Sequence, residues 1–146
     1  MASSIRQVLY LSRVAQDVDD QSLKRIVAAA QMNNRRRDVT GVLAVGDGIF
    51  AQILEGDSND VEQTLIRIRA DERHHDVQMV LDSHTSARSF DRWSMELLMD
   101  EVSAKLAEGV FCGERFPDEL VQHLKTQHSQ DPVCWSGDLR AMALSS

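Results

Sequence analysis

The sequence predicts an α+β fold: a ferredoxin-like, five-stranded mixed sheet with two helices on one face and a C-terminal helical extension. Three observations predict it. Apolar runs of strand length and stretches of helical spacing follow the order strand, helix, strand, strand, helix, strand, strand. An Asp-Gly pair within Gly46-Asp47-Gly48 lies between two apolar runs, which is a strong hairpin signal. Two right-handed crossovers over one sheet place both helices on the same face.

Ile5 to Arg13 reads as the first strand, with alternation around Leu9 and Leu11. Asp19-Asp20-Gln21 then supplies helix-start chemistry, and Leu23, Ile26, Val27 and Ala30 recur at helical spacing. That helix is expected to fray near Asn33-Asn34. Thr40 to Val45 and Ile49 to Leu54 form the hairpin. Asn59, with Glu62 three residues on, resembles a capping box for a second helix whose inner face is Val61, Leu65 and Ile68. Val77 to Leu81 is the next strand, and a last one falls between Phe90 and Leu98. In this arrangement the first and third strands are expected to be parallel neighbours, which places Tyr10 and Gln52 on adjacent strands.

The far face of the sheet is also apolar, through Leu9, Leu11, Ile49, Ala51 and Ile53, and such a surface needs a cover. Residues 99–146 are the expected cover. Phe116-Pro117-Asp118 starts a helix with proline near its first turn, Leu120, Val121 and Leu124 give it an apolar side, and Asp131-Pro132 is expected to stop it. The division is therefore 1–98 for the sheet domain and 99–146 for a helical cap or output segment.

Composition narrows the function. A chain of 146 residues makes one domain with an extension. A net charge of −7 argues against broad contact with nucleic acid or anionic lipid, and Arg35-Arg36-Arg37 reads as a solvated helix end. No run approaches the ~20 apolar residues of a membrane span, and the first residues lack the apolar core of a secretion signal. Cys112 and Cys134 form no disulfide framework and suit a reducing cytosol. His123 and His128 stand near them, but the spacings match no standard zinc module, so no metal is expected.

The most informative stretch is Phe50-Ala51-Gln52-Ile53-Leu54-Glu55-Gly56. Gln52 shares a strand face with Phe50 and Leu54, so its carboxamide sits among apolar neighbours. Leaving such a group unpaired costs about 1–3 kcal/mol, so Gln52 needs a side chain, a water, nearby backbone or a heteroaromatic ligand as partner. In the expected fold a phenol (Tyr10), carboxamides (Asn33, Asn34, Gln52) and the basic end of the second helix (Asp71-Glu72-Arg73-His74) would converge between two helices over a sheet. A flat ligand with alternating carbonyl and N–H groups suits that set.

These residues carry a family resemblance. Tyr10-x-Ser12, Asn33-Asn34, Val39-Thr40-Gly41-Val42-Leu43, Phe50-x-Gln52-x-Leu54-Glu55-Gly56, Asp71-x-Arg73-His74 and Arg88-x-Phe90-x-x-Trp93-Ser94-Met95 follow in the order and spacing of a BLUF domain, a flavin-binding blue-light sensor. Ile5 to about Leu98 resembles that family. The resemblance implies that Tyr10 is a redox-active tyrosine and that Gln52 lies between its phenol and flavin N5 and O4. It implies that Asn34, with Asn33 beside it, meets the pyrimidine edge of the ring and Arg73 the O2 side. Asp71 and His74 belong to the same ligand-side motif, Ser12 supports the tyrosine–glutamine network, and Trp93 and Met95 match a pair that exchanges between buried and exposed positions.

The implied cofactor is FAD, with FMN or riboflavin as alternatives, held without a covalent bond. The implied activity is sensing rather than turnover. Tyr10 gives an electron, and a proton through Gln52, to the photoexcited flavin, and Gln52 is left rotated or tautomerised with a stronger hydrogen bond to O4. Residues 99–146 are too few for a fused cyclase or phosphodiesterase. The expected output is association with a second copy of the chain or a downstream protein in the cytoplasm. An acylphosphatase would need a glycine-bearing anion loop where Arg13-Val14-Ala15-Gln16 stands. A flavin oxidoreductase would need a nicotinamide or substrate site, and no dinucleotide fingerprint is present. The alternative reading is a flavin-free regulatory interaction module.

Overall fold

The computed structural model describes residues 4–91 and 93–130. The chain runs β1 (Ile5–Val14), α1 (Asp20–Arg37), β2 (Thr40–Gly46), β3 (Ile49–Gly56), α2 (Ser58–Arg69), β4 (His74–Thr85), β5 (Glu96–Leu98), α3 (Glu101–Phe111) and α4 (Pro117–Gln130). The five strands form one mixed sheet in the order β4-β1-β3-β2-β5. The expected α+β, ferredoxin-like class is the one observed.

One expectation is corrected. β1 and β3 are neighbours, but they run antiparallel. β3 returns from the hairpin against β2, and it inserts between β2 and β1, so it opposes both. The sheet is mixed because β5 adds parallel to β2. The antiparallel register sets Tyr10 directly opposite Gln52.

Local chemistry accounts for most element ends. The Asp19 side chain accepts from the Ser22 N–H at 2.8 Å and caps α1. α1 does not fray at Asn33-Asn34. It continues one turn further to Arg37, because Asn34 falls on the buried stripe of Leu23, Val27 and Gln31, and it ends at Asp38 in the left-handed region. Asp47 and Gly48 both have positive φ (53° and 75°), the geometry of a two-residue hairpin turn matching the strand twist. The cap of α2 is Asp57, which accepts from the Asn59 N–H at 3.2 Å. Glu62 is instead ion-paired with Arg6 at 2.7 Å. β4 is longer than its apolar core, and it alternates in exposure as an edge strand should.

β3, the central strand, is buried along all eight residues. One face carries Val8, Tyr10, Phe50 and Leu54 with Leu23, Val27, Val61 and Leu65, which places α1 and α2 together on that face. The other face carries Leu9, Leu11, Ile49, Ala51 and Ile53 with Ala107, Val110, Leu120, Val121 and Leu124. α3 and α4 therefore cover the second apolar face. α3 has no counterpart among the helices read from the sequence. Asp100 caps it, accepting from Ser103 N at 2.9 Å and Ser103 Oγ at 2.7 Å. α4 begins at Pro117 as expected, whereas the Asp131-Pro132 stop lies outside the described residues. No helix among the described residues is long and apolar enough to cross a membrane.

α3 lies so close to β2 that a Cβ added at Gly46 would stand 2.1 Å from Ala104 Cβ and 3.1 Å from its Cα. The helix backbone would have to move. Gly46→Leu is expected to lower stability by about 1–3 kcal/mol, the usual cost of overpacking. A fall in the urea midpoint relative to wild type checks this, and an unchanged midpoint contradicts the packing described.

Candidate functional site

A cavity opens between α1 and α2 over the face of β1 and β3. It encloses about 700 Å³ of empty space when the open solvent at its mouth is included. Ile26, Ala29 and Ala30 of α1 form one wall, Thr64, Arg67 and Ile68 of α2 the other, and Tyr10, Leu43, Phe50 and Gln52 the floor. Asn33, Asn34, Asp71, Arg73 and His74 complete the lining. Seven of the residues singled out in the sequence thus meet in one place: Tyr10, Asn33, Asn34, Gln52, Asp71, Arg73 and His74.

At the floor, the Tyr10 hydroxyl donates to Gln52 Oε1 across the β1–β3 pair. Gln52 Nε2 donates to Met95 Sδ at 3.3 Å. Burial pushes the Tyr10 phenol well above its ordinary range, and the negative charge of Asp71 adds to the shift. Tyr10 is therefore neutral at physiological pH, with its proton committed to Gln52.

Asn34 Nδ2 donates to the Ser94 carbonyl at 2.8 Å, which leaves its own carbonyl oxygen as an acceptor with no hydrogen bond among the described residues. Arg73 is held at the cavity edge by Asp71, with Nε 2.8 Å from Oδ1. This pairing holds the Asp71 carboxyl below the usual carboxylate range and raises the Arg73 guanidinium. His74 Nε2 donates to the Ile68 carbonyl at 2.7 Å, because a carbonyl can only accept. In the neutral ring, Nδ1 then accepts from the Ser12 hydroxyl at 2.7 Å. Ser12 is thus bonded to His74 rather than to the Tyr10–Gln52 pair.

Trp93 and Met95 lie on opposite faces of the sheet, and both are buried. Met95 faces Gln52. Trp93 sits in the second core, stacked on Phe90, with its ring edge-on to His128 of α4 at 4.7 Å between centroids. His123 contacts Ser103 Oγ at 3.0 Å and Asp100 at 3.6 Å. No group of three or more metal-ligating side chains occurs among the described residues. Cys112 is exposed, and Cys134 lies outside the described residues.

Three further residues belong to the site. Gln31 donates to the Met95 carbonyl at 2.8 Å, and its place on the buried stripe of α1 was readable from the spacing to Val27 and Asn34. Arg67 lines the cavity from α2. Glu55, three residues beyond Gln52 on β3, is fully buried. Its carboxylate accepts from Gln7 Nε2 at 2.6 Å and from the backbone N–H groups of Ser89 and Phe90 at 2.9 and 2.8 Å. Arg88 adds bonds to the carbonyls of Glu55 and Asp38. The segment that carries Trp93 and Met95 is therefore tied to the strand that carries Gln52.

The sequence of residues 5–96 matches the model of a family described as BLUF, sensors of blue light using FAD. The chain belongs to the BLUF family. The family's description is of blue-light sensors that use FAD. This BLUF domain is 31% identical over 90 residues to the blue light- and temperature-regulated antirepressor BluF of Escherichia coli, covering 62% of this chain and 22% of BluF. It is 28% identical over 134 residues to the photoactivated adenylate cyclase subunit beta-like protein FB of Euglena gracilis, covering 84% of this chain and 16% of that protein. The chain thus spans about a fifth, or less, of these curated relatives. Among solved structures, the dark state of the BLUF protein BlrB superposes with a TM-score of 0.73 at 25% identity, over 86% of this chain and 96% of BlrB. The ground state of BlsA shares the fold, with a TM-score of 0.73 over 88% and 91% of the two chains at 24% identity. The flavin-free module weighed from the sequence finds no support in these likenesses.

The cavity's chemistry suits a flavin. Ile26, Ala29 and Ala30 make the α1 wall apolar, with small side chains at the two alanines, and Ile68 adds apolar surface from α2. The open acceptor of Asn34 suits an imide N–H, and the Arg73 guanidinium suits a carbonyl beside it.

The Glu55 carboxylate gives a test of the local framework. Glu55→Gln replaces one acceptor oxygen by an NH₂ group that faces donors, and it removes the charge from the remaining bonds. The expected cost is about 1–3 kcal/mol of stability, read as a lower urea midpoint, and a wild-type midpoint contradicts it.

Proposed function

We propose that this domain is a blue-light photoreceptor in which Tyr10 and Gln52 switch the hydrogen-bond network at the cavity floor. The observation that carries this reading is the buried chain from Tyr10 O–H through the Gln52 amide to Met95 Sδ. FAD, named in the family description, is the flavin proposed, with Asn34, Asn33, Gln52, Arg73, Asp71 and His74 around it.

A bound flavin, on absorbing blue light, supplies a strong oxidant next to the phenol. Tyr10 is the donor. A neutral phenol that loses an electron becomes a strong acid and must release its proton at once. Gln52 Oε1 is the acceptor already in place, so the proton leaves along that bond. When the electron returns, Gln52 need not return with it. Its amide oxygen and nitrogen are nearly equal in size, so rotation or tautomerisation exchanges donor for acceptor without a change of volume. A rotated amide presents oxygen to Met95 Sδ, which has no proton to give, and the Gln52–Met95 bond is lost. The difference between the states is held in a buried polar network, where each bond counts for more than in water.

From Met95 the change passes to a segment whose backbone carbonyls are held by Gln31 and Asn34. Two residues earlier, Trp93 lies against His128 of α4. Residues 99–146 are proposed as the output segment, acting by association with a second copy of the chain or a downstream protein rather than by turnover. A cytoplasmic location is part of this reading.

Light-minus-dark absorption spectra of variants test it. Tyr10→Phe keeps the ring volume and loses the donor, so flavin binding is retained and the reversible red shift is abolished. Gln52→Ala behaves likewise for want of the relay. Asn34→Ala keeps the shift but binds flavin two- to tenfold more weakly, the loss of a bond worth about 0.5–1.5 kcal/mol. A normal difference spectrum in either of the first two variants refutes the roles assigned to Tyr10 and Gln52.

A further inference from the structure

We propose that Gln31 is a positioning residue for the light switch: it holds Met95 where Gln52 must find it again, and so sets how fast the dark state returns. The proposal rests on the Tyr10–Gln52 switch above and extends it to a residue outside the flavin cavity.

Residues 93–95 stand just before β5 and belong to no strand. Each of their carbonyls nevertheless accepts a hydrogen bond. Trp93 accepts from the Gly41 N–H of β2 at 2.7 Å, Ser94 from Asn34 Nδ2 at 2.8 Å and Met95 from Gln31 Nε2 at 2.8 Å. Gln31 and Asn34 are three residues apart on α1, so they share one face of the helix. The Ser94 carbonyl belongs to the peptide unit before the Met95 Cα, and the Met95 carbonyl to the unit after it. Both planar units that flank Met95 are therefore anchored on α1.

The two anchors differ in their second duty. Asn34 lines the cavity, whereas Gln31 does not. Gln31 is buried with Leu23 and Val27 on the inner stripe of α1. Replacing it releases one side of Met95 and leaves the cavity lining unchanged.

Met95 needs such an anchor. Its side chain turns about three bonds, and a thioether is a weak acceptor. The 3.3 Å bond from Gln52 Nε2 to Sδ persists only where the backbone delivers the sulfur to one place. In the switched state the rotated amide gives up that sulfur. Return to the dark state requires the amide to turn back and Nε2 to regain Sδ. With Met95 held, the acceptor is already in position, and the bond begins to form as the amide turns. With Met95 released, the segment must be ordered in the same step, and the return is slower.

Dark recovery after a blue flash is followed by absorption in wild type, Gln31→Met, Met95→Leu and the double variant. Methionine keeps the length and helix propensity of glutamine and lacks its N–H donors. Gln31→Met is expected to keep the red shift at wild-type size, because Gln52 and the cavity are intact. Its recovery is expected to be about two- to tenfold slower, the rate equivalent of one hydrogen bond. Met95→Leu removes the acceptor and slows recovery as well. Adding Gln31→Met to Met95→Leu should then cause no further slowing, because Gln31 acts only through Met95. Gln31→Leu carries the same test if Gln31→Met does not fold. Recovery of the Gln31 variant at the wild-type rate or faster overturns the proposal, and so does equal slowing with and without Met95. Absence of a reversible shift in flavin-loaded wild type would instead overturn the reading on which the proposal rests.

Discussion

A phenol and a carboxamide buried at directly opposed positions of two central strands must satisfy each other. Both are almost wholly buried, and an unpaired polar group in that setting costs about 1–3 kcal/mol. Tyr10 and Gln52 meet this constraint across the β1–β3 pair, and much of the site is arranged around it. The register has to be the observed one, since a slip of one residue would turn Gln52 to the other face. The Gln52 amide N–H needs an acceptor, and Met95 Sδ supplies it. The loop before β5 must then be held at a fixed height, which Gln31, Asn34 and Glu55 do from three directions.

The sheet has two apolar faces with different duties. One is only partly filled by α1 and α2, and the cavity is the part left open. The other is closed by α3 and α4. β3 belongs to both cores, because alternate residues of one strand point to opposite faces. A rearrangement of Gln52 on one side is therefore one residue away from Ala51 and Ile53 on the other. Trp93 and Met95, two residues apart yet on opposite faces, join the two cores in the same way.

Much of this was legible in the sequence because period-2 alternation is a strong signal. It separated Phe50, Gln52 and Leu54 from Ile49, Ala51 and Ile53, and it showed that a second cover was needed. Strand direction was less accessible, since it depends on where the hairpin inserts. The helix ends show how tertiary context overrides local chemistry. Asn34 is a poor residue for a helix interior, yet its bond to Ser94 keeps it in one. α3 gives a weak signal in the sequence because, apart from Val110, its buried face is made of Ser103, Ala104, Ala107 and Gly109, small residues that produce little apolar contrast. Glu55 stood inside a recognised motif, but a buried carboxylate is explained only by its partners, and these come from Gln7 and a loop 34 residues downstream. The resemblance implies that Ser12 supports the Tyr10–Gln52 pair, whereas its hydroxyl bonds to His74. A sequence brings residues to a face without deciding which neighbour a hydroxyl selects.

The central claim is that light changes which end of the Gln52 amide faces Met95. NMR of selectively labelled protein, with the side-chain amide of Gln52 and the methyl group of Met95 observed in the dark and under steady blue illumination, tests it most directly. The account predicts that both resonances move together and return together in the dark, with the Gln31 side-chain amide changing less than either. A light-induced absorption shift with the Gln52 amide and Met95 methyl resonances both unmoved would contradict it.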